Sequence, residues 1–290
     1  MIRSIGVLAT VMSVGFFCGC ALVTPAPRQV VFTAMGCGPY DRAAEAALER
    51  FIKLDNQIAT SQFMVHCGDI VTGRNTDWPE SQYIRVAEIL KNGNRIPTFI
   101  VPGDNEWNDQ TDPDRHWGYW EKHFLEFERH WKLPTPVMRQ ENRPENFAFN
   151  LDGTLVIGIN KVGGKVHDAD EWKRRLSDNG HWIAMQFEKH RKEAHSAVIL
   201  AQARAPGNTD QFVDSLIASA ATFAKPILYL HADGHKWFVK EGNRATNITH
   251  VQMDLISSNF PPIQVTVTGD PSSPWLFDRR QNSTFWGTAR

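Results

Sequence analysis

Five polar clusters each follow a short apolar run: AMGCGPYD at 34 to 41, VHCGDIV at 65 to 71, VPGDNEW at 101 to 107, LAQARAP at 200 to 206 and LHADGHKW at 230 to 237. Between them they carry Cys37, Asp69, Asp104, Asn105, Gln202, His231, Asp233 and His235. Any one cluster is ordinary turn chemistry, because Gly, Asp and Asn favour tight turns. Together they set carboxylates, a thiol and imidazoles at the ends of runs that read as strands. Clustered carboxylates repel one another unless something positive sits among them, and a divalent cation meets that need.

The elements that must position these residues alternate along the chain. Residues 30 to 35, 63 to 67 and 97 to 101 read as strands, separated by helical patterns at 41 to 58 and 80 to 92. Strand, helix, strand in succession predicts parallel pairing with right-handed crossovers, and in such sheets chemistry collects at the carboxyl ends of the strands. Residues 114 to 131 read as one amphipathic helix whose Trp117, Trp120, Phe124, Phe127 and Trp131 form a core-facing stripe. His116, His123 and His130 recur on it at a spacing of seven and read as polar flanking positions. A hairpin is predicted around Asp152-Gly153, then a helix over 168 to 194, a strand at 196 to 201, a helix near 209 to 221 and a strand at 226 to 230. The alternating stretches 249 to 254 and 263 to 269 read as antiparallel strands. The fold class is therefore α/β in content, an α+β sandwich, in one domain over 30 to 290.

In this order the clusters resemble the calcineurin-like metallophosphoesterase family, whose pattern runs D-x-H, G-D, G-N-H-D/E, H and G-H-x-H, each at a strand end. The resemblance implies a two-sheet β sandwich flanked by helices. It also implies one or two divalent ions, Mn, Mg or Zn, and water or hydroxide attacking a phosphate ester. Carried over by position, Asp69 takes the bridging Asp place, Asp104 the metal-binding Asn place and His235 the final His place. Asp233 stands for the first His of G-H-x-H, Gln202 for the lone His, Cys37 for the first Asp and Pro39 for its His. On that mapping Cys37, Asp69 and His235 are ligands of one ion and suit zinc with an open position. Asp69, Asp104, Gln202 and Asp233 would form an all-oxygen site for a harder cation.

The family's proton-donating His is here Asn105, whose amide can hydrogen-bond a phosphate but cannot protonate a leaving oxygen. Such general-acid help is worth roughly a hundredfold or more. His231 is a candidate substitute, its other reading being a strand-end filler. Pro39-Tyr40 and Glu106-Trp107 are similar to a divergent branch of the family with G-D-x-P-Y and G-D-N-E-W motifs. Two functions follow as expectations: a phosphoesterase acting on a small phosphate ester or nucleotide, or a non-catalytic member that binds a ligand or partner in the same cleft.

Lys and Arg number 31 against 32 Asp and Glu, which gives no nucleic-acid footprint. The N-terminus has one Arg, an apolar stretch from Ile5 to Phe17 and a Pro-rich tether at 20 to 29, the layout of a signal peptide over 1 to 19. Gly19-Cys20 resembles a bacterial lipoprotein cleavage site, with Cys20 as the lipid anchor. Export to the periplasm or as a membrane-anchored lipoprotein is the expectation, with simple secretion and an uncleaved anchor as alternatives. Cys37 and Cys67 allow at most one bridge or stand as two buried thiols. Lys161 and Lys165 flank Val-Gly-Gly as a solvated loop or a phosphate contact, and Trp78, Trp107 and Trp237 read as core filling or base stacking.

Overall fold

The computed structural model describes residues 28–58, 60–205, 211–242, 245–257 and 259–281. The predicted leader, Cys20 and most of the tether lie outside them. Side-chain alternation dictates the layering, because successive residues of a strand face opposite sides. In β1 (Val30–Met35), β2 (Phe63–His66) and β3 (Thr98–Ile100), residues Phe32, Ala34, Phe63, Val65 and Phe99 face a core between two sheets. Met35, Met64 and Ile100 face the other way, onto α1 (Arg42–Ile58), α2 (Glu80–Lys91) and α3 (Pro113–Phe124).

The second sheet repeats the logic. Phe147, Phe149, Val156, Val198, Leu200, Leu228 and Leu230 look inward from β5 (Arg143–Leu151), β6 (Thr154–Gly158), β7 (Ser196–Leu200) and β8 (Ile227–His231). Leu155, Ile157, Ile199 and Tyr229 look outward onto α4 (Ala169–His190) and α5 (Gln211–Phe223). With β4 (Met138–Gln140), β9 (Phe238–Glu241), β10 (Ile248–Gln252), β11 (Ile263–Val267) and β12 (Trp275–Asp278), the sheet orders are β12-β11-β1-β2-β3 and β4-β5-β6-β7-β8-β10-β9. This is the two-sheet sandwich flanked by helices that the family resemblance implies. β1, β2 and β3 are parallel, as are β6, β7 and β8, so the carboxyl ends of both triplets form the rim where the polar clusters begin.

Several local expectations change. The stripe at 114 to 131 is two pieces: α3 ends at Phe124, Glu126 adopts φ 56°, and a short 3₁₀ turn, Phe127–His130, follows. Across the bend Phe127 still packs against both Phe124 and Trp131, so the apolar stripe survives the break in the helix. His116 is fully buried, bound to the carbonyls of Asp112 and Trp78. β10 is antiparallel to β9 but parallel to β8, because the Gly242 turn returns the chain beside β8 after an edge strand that the sequence reading had not marked. The Asp152-Gly153 turn does join a hairpin, with φ values of 47° and 83°.

Aromatic stacking ties the two sheets together. Phe99 of β3 stacks on Phe149 of β5 with centroids 4.5 Å apart, and Phe63 of β2 meets Phe149 edge-on at 5.3 Å. Phe99→Ala is expected to lower unfolding stability by about 3–5 kcal/mol, the range for emptying a buried aromatic site, read from chemical denaturation.

Candidate metal centre

Loops leaving the parallel strands extend the ladder by one more rung before turning. The Cys37 N–H donates to the Gly68 carbonyl at 2.9 Å and the Gly38 N–H to the Asp69 carbonyl at 2.7 Å, which docks the first two clusters side by side. Gly68, at φ 74°, lies so close to the third cluster that a Cβ there would sit 2.5 Å from the Gly103 nitrogen. Only glycine permits that approach. Cys37, Asp69, Asp233 and His235 all occupy the left-handed region, with φ of 53°, 61°, 38° and 62°. Non-glycine residues rarely adopt it, and such backbone strain collects at functional sites.

Those turns bring the Cys37 thiol, an Asp69 carboxylate oxygen and a His235 ring nitrogen within 4.8 Å of one another. The thiol also donates to Asp69 Oδ2 at 3.3 Å. Burial, with the Asp69 charge next, pushes the Cys37 thiol well up. Tyr40 stands edge-on to His235 with ring centroids 6.0 Å apart, and its buried hydroxyl lacks a hydrogen-bond partner. Cys37 and Cys67 are both buried and free, the unbridged alternative.

Asp104 opens a short π-helical turn, Asp104–Asn108, directly after β3. Glu106 caps it from inside: its Oε1 accepts from the Gly103 N–H at 2.5 Å and the Asp69 N–H at 3.2 Å. The same carboxylate therefore fixes the backbone of two clusters at once. Burial pushes Glu106 up to about 8. Burial, followed by Glu106, raises Asp69, and burial, followed by Asp69, raises Asp104.

Gln202 follows β7 and is fully buried. Its backbone is clamped from both sides, because the Ala203 N–H reaches the Lys161 carbonyl and its own carbonyl accepts from the Ala232 N–H, each at 3.0 Å. Its amide Nε2 donates towards Asp69 at 3.1 Å, Asp104 at 3.2 Å and Asp233 at 3.5 Å, while Oε1 accepts from the Gly163 N–H at 2.8 Å. The mapped all-oxygen site is thus arranged otherwise: Gln202 turns a donor, not an oxygen, to the three carboxylates. Lys161 is buried, not part of a solvated loop, because Asn160 before it is held by Asn146, Glu145 and Arg175.

Cys37, Asp69, Asp104, Gln202, Asp233 and His235 are gathered in one place. Asn105 joins through its backbone, which donates to Asp69 Oδ1 at 3.3 Å, while its side-chain oxygen lies against Gly73. His231 is elsewhere. It lies on the same face of β8 as Tyr229, packs on Phe238, has no hydrogen-bond partner at either nitrogen, and is held by burial down to about 3. Trp107 is buried, with Arg175 stacked 4.9 Å above it, so it fills core. Sequence reasoning noted Glu106 and Tyr40 only as branch-motif residues and gave them, like Gly163, no part in the site. The G-D-N-E spacing, an acid three residues after the residue that caps the turn, was the available signal for Glu106.

A dimetal phosphatase from Danio rerio superimposes on this chain with a TM-score of 0.56 at 9% sequence identity, over 86% of this chain and 98% of that one. The fold is that of the calcineurin-like metallophosphoesterases. A second chain with this metallophosphoesterase fold, GAP50, the anchor in the inner membrane complex of Plasmodium, aligns with a TM-score of 0.52 at 10% identity over 87% and 88% of the two chains. At such identity the likeness is one of fold. No protein-family model and no curated protein matches the sequence. Among the described residues no helix is long and apolar enough to cross a membrane.

Two measurements check this geometry. Glu106→Ala strips the acceptor from two buried N–H groups and is expected to cost roughly 2–5 kcal/mol of stability, with a smaller loss for Glu106→Gln, in urea titrations. His66 holds the Gly38 carbonyl at 2.8 Å, and burial lowers its folded pKa from 6.5 to about 4. Between those values the unfolded state binds more protons than the folded one, so stability is full above pH 6.5 and falls as pH drops to about 4. His66→Gln is expected to flatten that slope.

Proposed function

We propose that this chain is an exported, metal-dependent phosphoesterase with a remodelled centre. The observation that carries the reading is the convergence of the Cys37 thiol, Asp69 carboxylate and His235 imidazole within 4.8 Å on the common strand-end rim. Thiolate, carboxylate and imidazole are a donor set that suits zinc and leaves a position for substrate or water. When bound, the ion supplies Lewis-acid polarisation of a phosphoryl oxygen and lowers the pKa of water.

The chain's own residues set the rest. Glu106 fixes the Asp69 backbone, so the carboxylate is delivered in one orientation. Burial keeps the Tyr40 phenol protonated beside Cys37 and His235, where in this reading it would donate a hydrogen bond to a phosphate oxygen. Asn105 can bind phosphate but cannot act as an acid, and His231 is held neutral on another face of its strand. The substrates that suit such a site are small phosphate esters or nucleotides with good leaving groups, which need the least protonation. In this reading the leader at 1 to 19 carries the protein to the bacterial envelope, with Cys20 as lipid anchor.

The position of Asn105, its side-chain oxygen set against Gly73, favours a second reading, a non-catalytic protein that keeps the cleft for ligand binding. Hydrolysis of an activated aryl phosphate separates the two. With Mn or Zn added, the chain is expected to turn over and Asp69→Asn to lose at least about a hundredfold. Stoichiometric metal without turnover would support the binding reading instead.

A further inference from the structure

Three carboxylates surround a single atom in this structure, and that atom is the amide nitrogen of Gln202. A cation among Asp69, Asp104 and Asp233 would have to occupy the place the N–H groups fill. Rotating the amide to offer its oxygen instead would break the 2.8 Å bond from the Gly163 N–H and set two donors face to face. A Cβ at Gly163 would lie 2.9 Å from Asp104 Oδ2, so the absence of a side chain is what lets that N–H reach over the cluster.

Among the described residues, the one group of three or more His, Cys, Asp or Glu side chains whose ligand atoms converge is Cys37, Asp69 and His235. Asp104 and Asp233 belong to the amide's surroundings and not to that group. Asp69 is shared: its Oδ2 meets both the Cys37 thiol and the Gln202 amide.

We infer that this chain binds a single divalent cation, at Cys37, Asp69 and His235, and that the Gln202 side-chain amide, oriented by the Gly163 N–H, takes the place a second cation would need among Asp69, Asp104 and Asp233. The inference rests on the metal-dependent reading above and departs from the two-ion arrangement of a dimetal phosphatase such as the one from Danio rerio. An amide answers carboxylates with hydrogen bonds from partial charge, whereas an ion would answer them with full charge. The centre is thereby asymmetric, with one exchangeable ion and one fixed organic donor.

The experiment is to count ions in the full chain. Apo protein is titrated with Mn2+, and bound metal is measured by elemental analysis, with electron paramagnetic resonance to distinguish an isolated ion from a spin-coupled pair. The wild type is expected to take one ion per chain with an uncoupled signal. Gln202→Glu and Gln202→His, which replace the amide nitrogen with a ligand atom, are each expected to take two, with a coupled signal. Two ions in the wild type would overturn the inference while leaving the phosphoesterase reading intact if turnover accompanies them. No ion in the wild type would overturn both. One ion in the wild type without turnover would support the inference and count against the phosphoesterase reading. One ion in the wild type and still one in both variants would overturn the role given to Gln202.

Discussion

Three carboxyl groups are buried side by side at the strand ends, and the turns, caps and donors around them are organised by that burial. Asp69, Asp104 and Glu106 all lie within the protein, where an ionised carboxylate is costly without hydrogen bonds or an opposite charge. Each is answered differently. Glu106 receives two backbone N–H groups, Asp104 receives a side-chain amide, and Asp69 stands between that amide and the thiol and imidazole of the candidate ligand set. The left-handed turns at Cys37, Asp69, Asp233 and His235 are the backbone's part in the same arrangement, since an extended chain would carry these side chains away from each other.

The architecture was largely legible because it depends on patterns that the chain repeats. Alternating apolar residues in β1, β2 and β3 mark one face for the inter-sheet core and the other for helices, and the intervening helices force parallel pairing. The ordered polar clusters then locate the rim. What escaped were features set by neighbours in space. Nothing local to 249 to 254 says that β8 will lie beside it in parallel, and the edge strands β9 and β12, four residues each, are too short to stand out in the sequence.

The site shows the same division at finer scale. Residue types at 37, 69, 104, 202, 233 and 235 gave its membership, yet not its polarity. Gln202 offers an oxygen and a nitrogen of equal reach, and the choice is made by the N–H of Gly163, thirty-nine residues away in sequence. Lys161 was misread for a related reason. A lysine beside two glycines looks like a surface loop until the buried network of Asn146, Asn160, Asn179 and Arg175 behind it is seen.

The six gathered residues come from loops after strands of both sheets, Cys37, Asp69 and Asp104 from one and Gln202, Asp233 and His235 from the other. Nearly two hundred positions of chain separate the first from the last, so their meeting is among the most non-local contacts the molecule makes. Such contacts carry the largest loop-closure cost. An ion held by Cys37 and His235 would bridge the two halves as a clasp, and its release would accompany their separation. Chelation would then act on the kinetics of unfolding as well as on the chemistry of the cleft.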